Sequence, residues 1–396
     1  MKMGHFLRFS ATALAAAFAC GSGWAANAES ARRPSEKYAA MQAAVQKILD
    51  DAVASGAQTA VQCCAYIDGE LAVDAWAGTY EKGGDRKIDG DSLFPIYSTG
   101  KPIFATAVNR AVEMGKMDYD AKICRLWPEF ARNGKEGVTL RHVITHHSGL
   151  QGGVNGGTTD EQYCDWKYMT DQCAGFKPLC PPGTKAQYLS RTYAWLLGEP
   201  LSRAMKMSVR DAITQLVLKP AGIEDSFYFG VDSAALNRCV TVYNGNGKYN
   251  IEKMNLEIHR RACVPSSNAM ASARGIAKFY VRLTGMDGKP PLLKPETLKA
   301  VTTPYFSEGE SGKLKSGGMH GGDGGESRPK LVFGYGCFLT GKAPNYGDVF
   351  GQGGLGGSSG SVDVKKRLVF AYTCAVNSDS SPESNLGWRI RRAMGL

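Results

Sequence analysis

The sequence carries no zinc-finger spacing, no P-loop and no dinucleotide fingerprint, which leaves the nucleotide-binding motifs without a candidate. Its basic residues are scattered and form no long run. A formal net charge of +10 scattered in this way describes a solvated surface and not a nucleic-acid footprint, so no nucleic-acid partner is expected. The 11 cysteines include no Cys-x-x-Cys pair, so structural zinc is not expected. His146 and His147 are adjacent, but no partner cluster of ligands accompanies them, and a structural turn is the expectation there. Neither a metal nor a cofactor is expected. No apolar run is long enough to span a bilayer.

What is present is an ordinary globular composition. The 396 residues are 43% hydrophobic and 21% charged, enough for a large core in one domain or two lobes. Lys2 and Arg8 precede the short apolar run Ala11 to Ala19, and Ala26-Asn27-Ala28 fits a small-x-small cleavage site. Residues 1–28 therefore read as a signal peptide, and the chain as exported, to the periplasm or beyond. An alternative is lipid attachment at Cys20, because Ala19-Cys20-Gly21-Ser22 looks like a lipobox lacking its usual leucine. Export permits disulfides. They are expected within Cys164, Cys173 and Cys180, or between Cys239 and Cys263. Cys63 and Cys64, adjacent on a strand, point to opposite faces and are not expected to bond each other.

Periodicity predicts a helix from Pro34-Ser35-Glu36 to Ser55, then strands over Ala60 to Ile67 and Glu70 to Ala77. Asp68-Gly69 between them is a hairpin signal. Residues 116–290 read as mostly helical. Residues 306–330, rich in glycine and charge, read as a loop. Strands return at Lys330 to Thr340, Val349 to Gln352, Gly360 to Val364 and Arg367 to Val376, before a last helix from Pro382 to Met394. This order predicts an α+β fold: an antiparallel sheet flanked by terminal helices, joined to a mostly helical lobe. A single domain of residues 35–396 is expected, with an α/β lobe from 35–97 and 291–396 and a helical lobe over 98–290. The active site is expected between the lobes.

The chemistry centres on Ser98-Thr99-Gly100-Lys101. A serine hydroxyl is a poor nucleophile until a base takes its proton. Three residues apart at a helix start, Ser98 and Lys101 share one face. Pro102 is tolerated only in a first turn, which puts Ser98 at the helix N-terminus, where free N–H groups favour negative charge. Burial lowers a lysine's pKa, which turns it into a base near neutral pH.

Further along come Thr145-His146-His147-Ser148-Gly149-Leu150, Pro182-Gly183-Thr184 ahead of Tyr188-Leu189-Ser190, Ala273-Arg274-Gly275-Ile276-Ala277, and Phe350-Gly351-Gln352-Gly353-Gly354-Leu355-Gly356-Gly357-Ser358. In this order, with the Ser98 motif, they resemble the motifs of the serine β-lactamase-related superfamily over nearly the whole mature chain. The likeness is to the class C β-lactamase-like branch, with its family VIII carboxylesterases and D-aminopeptidases. The resemblance implies a β-lactamase/penicillin-binding-protein-like fold. It implies Ser98 as the acylated nucleophile, Lys101 as the group that deprotonates it, and Tyr188 as second base or proton shuttle, activated by any cation that lowers its pKa. Ser190, Gln352, Gly353 and Gly354 would contact substrate. Ser190 stands where the family commonly has asparagine. The backbone N–H groups of Ser98 and Leu355 would form the oxyanion hole. Gln352 replaces the lysine or histidine that usually opens the third motif, so the site lacks a fixed cation for an anionic β-lactam. The expectation is an exported serine hydrolase, a carboxylesterase on small neutral esters. The alternatives are a β-lactamase or D-amino-acid-specific peptidase or acyltransferase acting on a small ester or amide, and, from another class, a non-catalytic binding protein on the same fold.

Overall fold

The computed structural model describes residues 33–151, 157–247, 249–305, 332–340, 345–377 and 385–395. The expected signal peptide, Cys20 and the loop at 306–330 lie outside the described residues. Among the described residues, ten strands form two sheets. The larger has seven, in the order β2-β1-β10-β9-β8-β7-β6, and every pairing is antiparallel. Its strands are β1 (Ala60–Ile67), β2 (Glu70–Gly78), β6 (Val332–Phe333), β7 (Phe338–Leu339), β8 (Val349–Gly353), β9 (Ser359–Asp363) and β10 (Leu368–Cys374). The smaller sheet joins β3 (Phe94–Pro95), β5 (Met270–Ala271) and β4 (Phe227–Tyr228). Among the helices are α1 (Ala39–Ala54), α2 (Lys101–Glu113), α3 (Leu140–Ile144), α4 (Asp160–Cys164), α5 (Trp166–Gly175), α6 (Tyr193–Met205), α7 (Glu257–Arg261), α8 (Ala273–Thr284) and α9 (Leu386–Ala393).

The first hairpin forms as its turn chemistry demands. Asp68 and Gly69 both sit at positive φ, 53° and 81°, the pair of left-handed residues that a tight two-residue hairpin needs. β1 then pairs with both β2 and β10, so strands from the two ends of the chain lie side by side in the sheet. Side chains alternate between two cores. Cys63, Ala65, Phe370, Tyr372 and Cys374 pack under α1 and α9, against Val45, Leu49, Leu386 and Ile390. Cys64, Val369 and Ala371 face the other way, into the large core shared with α8 and the helical block. Buried on both faces, β1 and β10 are apolar runs interrupted only by Gln62 and Thr373. Truncating Leu49, fully buried between α1 and the sheet, to alanine would cost about 2–5 kcal/mol.

Two expectations change here. The single strand expected over Lys330 to Thr340 is a hairpin, β6 turning into β7 through Gly336 at φ 102°. The expected disulfides are not formed: all ten described cysteines are free thiols. Each has been taken into its own surroundings. Cys173 is sealed in the helical core, Cys164 meets His259, Cys180 meets Gln187, Cys239 bonds the Ala235 carbonyl and Cys263 lies against Arg210. Among the described residues no helix is long and apolar enough to cross a membrane.

Candidate active site

The Ser98 turn is a single 3-10 turn, Tyr97–Gly100, running directly into α2. Tyr97, just ahead of the serine, is held at φ 49°, a conformation that costs a bulky residue energy and is kept only where its surroundings enforce it. Here the Tyr97 ring is buried and its hydroxyl donates to the Ile251 carbonyl at 3.1 Å. This sharp turn leaves Ser98 partly exposed while its neighbours Tyr97 and Thr99 are covered.

Lys101 is 1% exposed. Its Nζ lies 3.1 Å from Ser98 Oγ, 2.8 Å from the Ser190 carbonyl oxygen and 2.6 Å from the Ser266 carbonyl oxygen. Burial pushes its pKa well below the ordinary lysine value, because a low-dielectric surround disfavours the charged form. A neutral amine has two hydrogens and one lone pair. Lys101 Nζ donates to both carbonyls and to Ser98 Oγ; as a neutral amine, with its hydrogens on the carbonyls, it would turn its lone pair to the Ser98 hydroxyl.

Tyr188 stands on the other side of Ser98. It hydrogen-bonds Ser98, and its Oη accepts a bond from Gln352 Nε2 at 3.2 Å. With that acceptor site occupied, the tyrosine O–H is free to donate to Ser98 Oγ. Ser98 Oγ therefore stands between the two, bonded to Lys101 Nζ on one side and to Tyr188 on the other. The expectation that cations depress the Tyr188 pKa is reversed: burial raises it, with the Ser98 and Gln352 bonds opposing only in part. Tyr188 is therefore held as a phenol, a proton donor. Lys101 Nζ lies 5.0 Å from its ring centroid.

Tyr188 belongs to no helix or strand. The turn after α3 holds it. The Gln187 N–H donates to the His146 carbonyl at 2.7 Å, the Gly183 N–H to the His147 carbonyl at 2.7 Å, and the Leu189 N–H to His146 Nδ1 at 3.1 Å. The buried His146 ring stacks on Tyr193 and tilts against Tyr188. His146 is thus a support for Tyr188 that sequence reasoning passed over as an ordinary turn. Its signal was the Thr145-His146-His147-Ser148-Gly149-Leu150 motif itself. Among the described residues no three His, Cys, Asp or Glu side chains are grouped to hold a metal ion.

The third motif comes to the same place. β8 packs against the Ser98 turn. A Cβ on Gly354 would lie 2.3 Å from the Ile96 carbonyl oxygen, so only glycine permits this approach. Ser358, also buried, donates to that carbonyl at 2.8 Å, and its Oγ lies 3.0 Å from Thr99 Oγ1. These two hydroxyls, which the sequence did not single out, lace the Ser98 turn to the turn carrying Leu355. Leu355 is partly exposed beside it, and Gly353 ends β8 opposite Ser359. Ser190 is exposed, and its carbonyl accepts from Lys101 Nζ.

A family model described as Beta-lactamase matches residues 45–394. The chain belongs to the beta-lactamase family. Within this family it is similar to "Esterase/beta-lactamase LipL" of Mycobacterium tuberculosis (strain ATCC 25618 / H37Rv), 34% identical over 140 residues, which is 35% of this chain and 32% of that protein. It is also similar to "Esterase EstB" of Burkholderia gladioli, 30% identical over 174 residues, 40% of this chain and 44% of that protein. The aligned stretches thus span less than half the length of these curated relatives. Among solved structures, a family VIII carboxylesterase superposes with a TM-score of 0.75 at 24% identity, covering 89% of this chain and 97% of that one. A penicillin-binding protein homologue from Caulobacter crescentus superposes with a TM-score of 0.73 at 22% identity, covering 91% and 98%. These likenesses establish the β-lactamase/penicillin-binding-protein fold, an antiparallel sheet with helices.

Proposed function

We propose that this member of the beta-lactamase family is a serine hydrolase that works through a Ser98 acyl-enzyme, with small neutral esters as its substrates. The observation that carries the reading is the Lys101 amine, buried, with two carbonyls on its hydrogens and the Ser98 hydroxyl at its remaining position. Ser98 attacks the ester carbonyl and gives its proton to Lys101. The oxyanion is stabilised by the N–H groups of Ser98 and Leu355. Tyr188, a phenol at neutral pH, passes its proton to the leaving alcohol, and Lys101, with Nζ 5.0 Å from the Tyr188 ring centroid, gives back to it the proton taken from Ser98. Water then reverses the sequence to release the acid. Gln352 holds Tyr188 and offers no charge, so a substrate carboxylate gains only a neutral hydrogen bond there. The esterase names of the two relatives agree with that preference. The test is a fluorophosphonate probe, which should label Ser98 in the wild type and nothing in Ser98→Ala. Labelling that survives the substitution removes Ser98 as nucleophile.

Export completes the proposal. Lys2, Arg8 and the Ala11 to Ala19 run support removal of residues 1–28 during secretion. A mature N-terminus at Glu29 is expected, read by N-terminal sequencing. A lipid-modified Cys20 would replace this with a membrane-anchored form.

A further inference from the structure

We propose that Cys164, His259 and Asp160 form a second nucleophilic centre, separate from the Ser98 group, that takes small disulfides and is a site of thiol modification. Helices α4 and α7 pack side by side. Asp160 opens α4 and Cys164 closes it, four residues apart and so on one face. His259 comes from α7, 5% exposed, and fits between them. Its Nε2 lies 3.0 Å from Asp160 Oδ1 and its Nδ1 lies 3.7 Å from Cys164 Sγ. A carboxylate only accepts, so the ring hydrogen sits on Nε2 and the Nδ1 lone pair faces the thiol. Nucleophile, base and orienting carboxylate stand in the order that activates a thiol or hydroxyl.

The surroundings hold this order. The His259 carbonyl accepts from Asn268 Nδ2 at 2.8 Å, and the Tyr163 ring lies 5.9 Å from the imidazole. Lys253 Nζ bonds the same Asp160 oxygen at 2.8 Å, and its ion pair, followed by the histidine bond, holds the carboxyl below its usual range. Burial, then Asp160 and Glu161, push the thiol up to about 11. The resting sulfur is therefore a thiol, and its proton moves only as sulfur attacks. In that step Cys164 Sγ bonds to one sulfur of the disulfide and the reagent's S–S bond breaks. The electron pair leaves on the departing thiolate, and the thiol proton passes to His259 Nδ1. Cys164 is oxidised and the departing sulfur reduced. Asp160 then faces the imidazolium.

The experiment uses the full chain and dithiodipyridine, a neutral disulfide that the carboxylates do not repel. Release of the thiopyridone is followed in time, and the labelled peptides are identified by mass. Cys124 and Cys180 are internal controls: both are half-buried, but they bond the Glu136 carbonyl and Gln187. Cys164 should be labelled first, about a hundredfold ahead of both, the lower end of general-base assistance. Cys164→Ser should remove this fast phase. His259→Gln should slow Cys164 by a similar factor and leave the rates of Cys124 and Cys180 alone. The idea is overturned if Cys124 or Cys180 reacts as fast as Cys164 in the wild type. It is equally overturned if a folded His259→Gln keeps the fast phase. Should that variant not fold, the order of labelling in the wild type decides alone. None of these readouts depends on turnover at Ser98.

Discussion

Lys101 and Lys135 are both sealed inside the protein with Nζ among backbone carbonyls, yet their surroundings call for different chemical species. Lys135 is met by three carbonyl oxygens, those of Arg132 at 2.6 Å, Ala174 at 2.9 Å and Phe176 at 2.5 Å. Three acceptors match the three hydrogens of an ammonium. Two of them lie at the C-terminal end of α5, where the helix dipole favours a cation. Lys101 has two carbonyls and a hydroxyl, and it is the first residue of α2, the end that disfavours a cation. Replacing one carbonyl by the Ser98 hydroxyl, which can donate as well as accept, is what permits the neutral amine. The difference separates a lysine that staples loops together from one that can take a proton.

Exchanging each lysine for methionine should separate these roles. Lys101→Met should lower ester kcat/KM by about a hundredfold to ten-thousandfold, the scale of losing a general base, in a protein that still folds. Lys135→Met should leave the activity of the folded protein near wild type. It should cost about 3 kcal/mol of stability in urea denaturation, since it leaves buried carbonyls without donors. Equal turnover in wild type and Lys101→Met, or an inactive but fully stable Lys135→Met, would break the comparison.

The next effect concerns charge at the far end of the Lys101 chain. Gln352→Lys places a cation where the amide now donates to Tyr188. The kcat/KM of an anionic cephalosporin should rise relative to a neutral ester by about ten- to a hundredfold, because a charge-assisted hydrogen bond is roughly twice as strong as a neutral one. An unchanged ratio would sever substrate choice from residue 352.

The smallest effect is on pH. With its pKa lowered by burial, Lys101 is a free amine at pH values where an ordinary lysine is charged. Ester kcat/KM should rise with pH through that lowered value and level off well below the usual 10.5. Stability follows the same sign. Between the lowered and the ordinary value the unfolded chain binds the extra proton and the folded chain does not, so the Lys101 contribution to stability increases with pH in that window. The difference in unfolding free energy between wild type and Lys101→Met should therefore slope upward there. A flat difference would mean an unshifted lysine.

The parts legible in the sequence are those whose cause is local or periodic. The Asp68-Gly69 hairpin, the alternation of Cys63 and Cys64 and the Ser98–Lys101 spacing each depend on a few adjacent residues. The group of Ser98, Lys101, Tyr188 and Gln352 was legible through motif order, and the geometry brings these four together. What escaped was carried by backbone. The Ser190 and Ser266 carbonyls that hold Lys101 could belong to any residue type, so no side chain announces them. The Tyr188 shift was misjudged because burial is a property of the packed whole. The cysteine spacing looked like a disulfide framework, but a core of this size had other uses for small apolar thiols.

The carbonyl contacts of Lys101 have one more consequence. Ser190 and Ser266 lie 89 and 165 positions beyond the lysine, and the Gln352 bond to Tyr188 spans 164. While the chain is being made, Lys101 is an ordinary hydrated ammonium and Ser98 an ordinary alcohol. Neither the first hundred residues nor the first two hundred contain the means to change that. Reactivity switches on only when distant stretches have closed around one nitrogen atom. In the proposed mechanism the chain thus carries its own safety catch: a half-made or half-unfolded copy is chemically inert, and turnover reports that the tertiary structure is complete.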